Sequence, residues 1–171
     1  SLSAIMKELG TATYLVTVLS DSTPQYILPT IIFVLGSIIS FSTGTSYGTM
    51  GILMPLTIPL ANAIGIHTGL EGDELNSYTI LNVGAVLTGA IFGDHCSPIS
   101  DTTILSSMAS SCNHMDHVST QLHYALFVGV VAILFGFLPA AFGVPVYILL
   151  PLGLLVVYLV IRFYGKPYIK A

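Results

Sequence analysis

Asp94 and Asp101 stand in the run Gly93-Asp94-His95-Cys96-Ser97-Pro98-Ile99-Ser100-Asp101-Thr102-Thr103, with apolar sequence before it, 78–92, and a short arm, 104–111, after it. A carboxylate at the centre of a bilayer costs on the order of 2.5–3.5 kcal/mol on insertion scales, so ionisable groups at that depth mark functional sites by default. His95, Ser97, Ser100, Thr102 and Thr103 add imidazole and hydroxyl groups, and Pro98 interrupts the helix. A broken helix also presents backbone amides and carbonyls at its inner ends. Oxygen-rich, small and partly anionic surroundings suit a hard cation such as sodium, or a proton competing for the same carboxylates. The plainer reading stays open, with Asp101 or Ser100 capping the second arm and Asp94 pairing locally. A second polar island spans 40–49, where six Ser or Thr residues and two glycines interrupt apolar sequence. Its tip, Ser42-Thr43-Gly44-Thr45-Ser46, offers Thr43, Thr45 and Ser46 as ion or substrate ligands, although such hydroxyls also bond their own i−4 carbonyls.

These islands need a membrane to position them. Of 171 residues, 54% are hydrophobic and 7% charged, with a mean hydropathy of +0.89, against about 25% charged in soluble domains. No Asp, Glu, Lys or Arg occurs between Asp21 and Glu71 or between Asp116 and Arg162. Both stretches exceed the roughly 20 residues of a spanning helix. Four Lys and Arg against eight Asp and Glu leave no basic patch for phosphates, which excludes nucleic acid as a partner. Cys96 and Cys112 are too few for a disulfide framework and read as free thiols. The opening residues show no signal peptide, and the chain reads as a piece of a longer protein.

The expected fold is an all-α integral membrane protein. A helix over 4–20 is followed by a re-entrant hairpin over 26–65 whose polar tip lies inside the protein, since non-helical backbone at membrane depth must face protein or a water-filled cavity. An aqueous loop over 65–77 leads to one discontinuous spanning helix over 78–111. A polar loop over 112–120 precedes two ordinary spans, 122–142 and 145–163. The positive-inside rule places Arg162, Lys166 and Lys170, and with them the C-terminus, in the cytoplasm; Lys7 then falls on the same side.

The string from Gly93 to Thr103, followed by Asp116-His117 and Thr120-Gln121-Leu122, resembles the signature of the NhaC-type sodium/proton antiporter family, and Ser42 to Ser46 resembles its upstream polar segment. The resemblance covers nearly the whole chain. It implies one repeat of an inverted-repeat transporter, the C-terminal half of a member two to three times this length, exchanging sodium for protons across the plasma membrane. Exchange of organic acids such as malate and lactate, or of amino acids, is the alternative within the family. No cofactor is implied. The expected partners are membrane lipid, the N-terminal half of the transporter and, as one arrangement open to the family, a second copy in a homodimer. His123 departs from the family pattern, which has proline there.

Asp94 and Asp101 are then the shared sodium and proton ligands, helped by Ser97, Thr102, Thr103 and the hairpin tip, with His95 and His117 as proton- or pH-sensing groups. Cys112, His114, Asp116, His117 and His123 also cluster, but Cys-x-His-x-x-His matches no closed four-ligand zinc pattern. A membrane-embedded enzyme using Asp94, His95 and Asp101 lacks a second motif such as His-Glu-x-x-His. A passive channel lacks a pore-lining charge ring.

Overall fold

The computed structural model describes residues 24–165, together with Ile5, Glu8, Leu9, Gly10, Tyr14, Thr17 and Val18. Most of the expected helix over 4–20, along with Lys7, Lys166 and Lys170, lies outside the described residues. Among the described residues the chain is helical: α1 Leu28–Thr43, α2 Ser46–His67, α3 Gly72–Cys96, α4 Asp101–Ala109, α5 His114–Ala132, a π-helical turn Ile133–Phe137, α6 Leu138–Ala141 and α7 Val146–Tyr164. Four helical stretches are long and apolar enough to cross a membrane: α2, α3, α5 running through the π turn into α6, and α7.

The first polar island is more helical than its composition suggests. Only Gly44 and Thr45 leave the helix, because Ser42, Thr43 and Thr49 donate to the carbonyls of Ile38, Ile39 and Thr45 four residues back. Gly44 takes φ 65°, a left-handed conformation that glycine adopts without steric cost, and its N–H bonds Ser40 O to end α1. Thr45 restarts the chain as the N-cap of α2. The far ends of the hairpin meet, with Thr68 Oγ1 donating to Gln25 Oε1 at 2.6 Å. The 16 residues of α1 rise about 24 Å, short of a hydrocarbon core about 30 Å thick.

Helix α3 runs parallel to α1 with a constant offset. Phe33 faces Gly89, Ser37 faces Gly93, and Phe41 O accepts from Ser97 Oγ at 2.7 Å. The glycines let the backbones touch, since a Cβ on Gly89 would stand 2.5 Å from Phe33 O. Ser40 Oγ crosses the same seam to Ala90 O. Small residues permit such close approach where lipid offers no hydrophobic drive between helices. The core lies between α1, α2 and α3, around Ile32, Phe33, Leu60, Ile64 and Val86.

Two boundaries differ from the sequence expectation. The loop at 65–77 shrinks to Thr68–Glu71, because Asp73 and Glu74 fit the first turn of α3, where the helix dipole favours acidic side chains. The polar stretch after Ser111 is largely helix, since Asn113 Oδ1 accepts from Met115 N at 2.9 Å and caps α5. The stretch 78–111 is helix on either side of a break, α3 to Cys96 and α4 from Asp101. The 25 residues of α3 alone rise about 37 Å. Across the break, Thr103 Oγ1 in the first turn of α4 reaches His95 O in the last turn of α3 at 3.3 Å.

The hairpin geometry carries a labelling prediction. In a background with Cys96 and Cys112 replaced by Ser, single cysteines at positions 25 and 69 should react with an impermeant thiol reagent from the same side of the membrane, and one at 43 should not react from that side. Reaction of 25 and 69 from opposite sides would overturn the paired ends.

Candidate ion-binding site

The two polar islands meet. Parallel packing of α1 and α3 brings the hairpin tip level with the end of α3, so that a Cβ on Gly44 would lie 2.9 Å from Ile99 O. The break itself is a tight turn over Ser97–Ser100, with Pro98 at its first corner and Ser100 N approaching Ser97 O at 3.4 Å. Ser97 and Ser100 are extended in backbone and fully buried. Ser97 Oγ ties the turn to the hairpin through Phe41 O and also lies 3.3 Å from Ile99 N.

Asp94 sits in the last turn of α3, half-buried, and its Oδ1 is buried without a hydrogen-bond partner. A buried carboxylate oxygen lacking a donor is costly when ionised unless a cation or a proton joins it. Asp101 differs. It is exposed, in the first turn of α4, where its charge complements the helix dipole. The N-cap is Ser100, whose hydroxyl bonds Thr102 Oγ1 at 2.8 Å and caps no backbone amide.

Other expected ligands are placed less favourably. Thr103 is buried at the break but its hydroxyl is given to His95 O. Thr43 and Thr45 are exposed and bonded within the hairpin, Thr43 to Ile39 O and Thr45 as the cap accepting from Gly48 N. Ser46 is half-buried in the first turn of α2. The carbonyls expected to lie free at the broken helix are occupied: His95 O accepts from Gln121 Nε2 at 2.9 Å as well as from Thr103, and Pro98 O is 2.7 Å from His114 Nε2. Side chains of α5 thus close the break from the far side.

His95 and His117 line a cleft of about 150 Å³ with Thr102, Thr103, Ser106 and Gln121, beside the break. The histidines and Cys112 that clustered in sequence do not converge on a metal: among the described residues no group of three or more His, Cys, Asp or Glu is arranged to hold one. Both cysteines are free thiols, Cys96 buried and Cys112 exposed. Sequence reasoning missed the roles of His114, Ser107 and Gln121. Gln121 stands one turn beyond His117 in the helix, a spacing that would have put both on one face had α5 been expected to start at His114.

The chain is 43% identical over 125 residues to an uncharacterized protein of Haemophilus influenzae, covering 73% of this chain and 22% of that one. It is 37% identical over 90 residues to a malate-2H(+)/Na(+)-lactate antiporter of Bacillus subtilis, covering 53% and 17%. It is 32% identical over 81 residues to the Na(+)/H(+) antiporter NhaC of Alkalihalophilus pseudofirmus, covering 47% and 15%. The matched stretch is thus about a fifth of each relative's length, a smaller share than the half suggested by sequence. No solved structure matches. The model of the Na+/H+ antiporter family matches residues 1–139, most of the chain and all of the hairpin, the break and the cleft, and the protein belongs to that family.

Proposed function

We propose that the chain is part of a secondary active transporter that exchanges sodium for protons. The buried, unpartnered Oδ1 of Asp94 at a helix break carries this reading. A carboxylate in that position is stabilised by either sodium or a proton, so loading one displaces the other. If only loaded forms pass between inward-open and outward-open states, competition at one carboxylate is enough to couple the two fluxes. Asp101, at the entry to α4, is the second ligand, and the hydroxyls at the break complete the shell with lone pairs not engaged in donation. The hairpin is re-entrant, the chain forms one repeat of an inverted pair, and the remainder of the transporter supplies the facing half of the site. The protein resides in the plasma membrane with its C-terminus in the cytoplasm, needs no cofactor and catalyses no chemical conversion.

A second reading, exchange of an organic or amino acid coupled to these ions, is favoured by the names of two relatives, the malate/lactate antiporter and an arginine/ornithine antiporter of Halobacterium salinarum that is 30% identical over 109 residues. The test is flux through the intact transporter in everted vesicles. Sodium addition alone should drive proton movement, unchanged by malate, lactate or arginine. Proton movement that appears only with one of those solutes would replace simple sodium/proton exchange by the second reading.

A further inference from the structure

Ser107 lies on the inner face of α4, 2% exposed, and its hydroxyl is shared among three neighbours. Oγ stands 2.8 Å from Thr103 O, 3.1 Å from His114 Nδ1 and 2.8 Å from His117 Nδ1. The other nitrogen of His114, Nε2, is 2.7 Å from Pro98 O in the break. The acceptors around the network limit the direction of each bond. Pro98 O only accepts, so His114 Nε2 carries a hydrogen. In neutral His114 the Nδ1 atom is then an acceptor, and the single Ser107 hydrogen serves either it or Thr103 O. With its hydrogen so used, Ser107 Oγ accepts from His117, which must carry its hydrogen on Nδ1. The chain reads His117 Nδ1–H to Ser107 O–H to His114 Nδ1, and His114 Nε2–H to Pro98 O.

The contact with Thr103 O gives the network a second complete arrangement. When His114 holds an extra proton, both its nitrogens donate, and the Ser107 hydrogen turns from His114 to Thr103 O. Four contacts are then served by four hydrogens, against three in the neutral form. A proton reaching His117 Nε2 from the cleft therefore has a route. The Nδ1 hydrogen of His117 passes to Ser107 Oγ, the Ser107 hydrogen passes to His114 Nδ1, and the positive charge rests on His114; His117 is left neutral with its hydrogen on Nε2, three contacts are served, and the fourth is regained when His117 exchanges that hydrogen through the cleft for one on Nδ1. No other bond forms or breaks.

We infer that His117, Ser107 and His114 form a proton-holding site that carries a proton from the polar cleft to His114, whose Nε2–H holds the Pro98 carbonyl at the helix break. The hydrogen bond from a charged imidazole is roughly twice as strong as a neutral one. Proton arrival thus tightens the grip of α5 on the turn that adjoins Asp94 and Asp101. The other titratable neighbours are His95 from α3 across the cleft, Asp101 at the head of α4, Cys112 in the connection with Sγ 3.6 Å from Ser107 O, and Asp116 in the first turn of α5. The coupling of this site to transport rests on the antiport reading, but the bond directions do not.

The test reads those directions. In the intact protein reconstituted in lipid nanodiscs and labelled with 15N-histidine, with His114→Asn and His117→Asn used for assignment, neutral His117 should show the Nδ1–H tautomer and neutral His114 the Nε2–H tautomer. Ser107→Ala should cause loss of the His117 Nδ1–H form, and Ser107→Thr, which keeps the hydroxyl, should restore it. Finding His117 as the Nε2–H tautomer in the unaltered protein while His114 is neutral, or unchanged by Ser107→Ala, would overturn the proposal whether or not the protein exchanges sodium for protons. The tautomers of the unaltered protein decide the question even if Ser107→Ala fails to fold.

Discussion

Asp94→Asn should abolish sodium-driven proton movement, on the order of a 100-fold loss or more, the scale at which a positioned acid–base group is missed. The protein should remain folded. The amide keeps the shape of the carboxylate and can place either its oxygen or its nitrogen where Oδ1 now lies buried without a partner, so the fold loses nothing by the change. What disappears is the negative charge that draws sodium and the ability to take up and release a proton. Asp101→Asn should act on the same flux, with a different structural signature. Its exposed carboxylate lies in the first turn of α4, and losing that charge costs the helix about 0.3–1 kcal/mol of dipole interaction. A purely structural role for Asp101 predicts only this small loss, visible as a shift in unfolding with exchange intact. Measured in everted vesicles, full exchange by the Asp94→Asn, Asp101→Asn double variant would remove both residues from the mechanism.

The places where the chain breaks were legible because glycine and proline write them directly. Gly44 is the residue that turns left-handed at the hairpin tip, and Pro98 is the corner of the turn that ends α3. The apolar stretches were equally plain. The beginnings of α3 and α5 were not, because they depend on a few polar side chains at the helix start. Asn113 caps α5 seven residues before the polar stretch was expected to end, and Asp73 and Glu74 enter α3 where their charge suggested a loop. The hydroxyl-rich run 40–49 looked unable to be helix, yet its side chains bond back to helical carbonyls.

Pairing between elements was the least legible, and it decides the site. Asp94 and Asp101 are close in sequence, which suggested a matched pair. Their surroundings separate them: Asp94 has a buried carboxylate oxygen at the end of α3, while Asp101 is exposed in the first turn of α4. The carbonyls of the break looked free because the chain before and after them could not satisfy them. Their partners, Gln121 and His114, arrive from α5, 26 and 16 residues away. Nothing local in the sequence announces such a distant donor. The result is a break closed on one side by the hairpin and on the other by α5, with Asp94 Oδ1 as the buried acceptor left unserved there.

That closure depends on how tightly α1 and α3 touch, and Gly93→Ala should undo it. A methyl group on Gly93 would collide with Ser37 O and lie 2.8 Å from Phe41 N, both backbone atoms of α1 with no freedom to rotate away. Relief requires the helices to separate. Overpacking of this kind costs about 1–3 kcal/mol and occasionally more. Alanine also favours helix over glycine by about 1 kcal/mol, so the steric term must exceed that gain for the variant to be destabilised. Gly84 supplies the control on the same helix: a Cβ there meets nothing within 4 Å, and Gly84→Ala should be neutral or slightly stabilising. The damage should extend beyond stability. Ser97 reaches Phe41 O one turn beyond Gly93, so moving α1 away breaks the bond that holds the turn at 97–100 against the hairpin. Thermal unfolding in detergent should therefore show Gly93→Ala well below Gly84→Ala, and cysteine at position 99 should become more reactive in the Gly93→Ala background alone. Equal stability of the two alanine variants would show that α1 and α3 do not pack in the parallel register that brings the hairpin tip to the break.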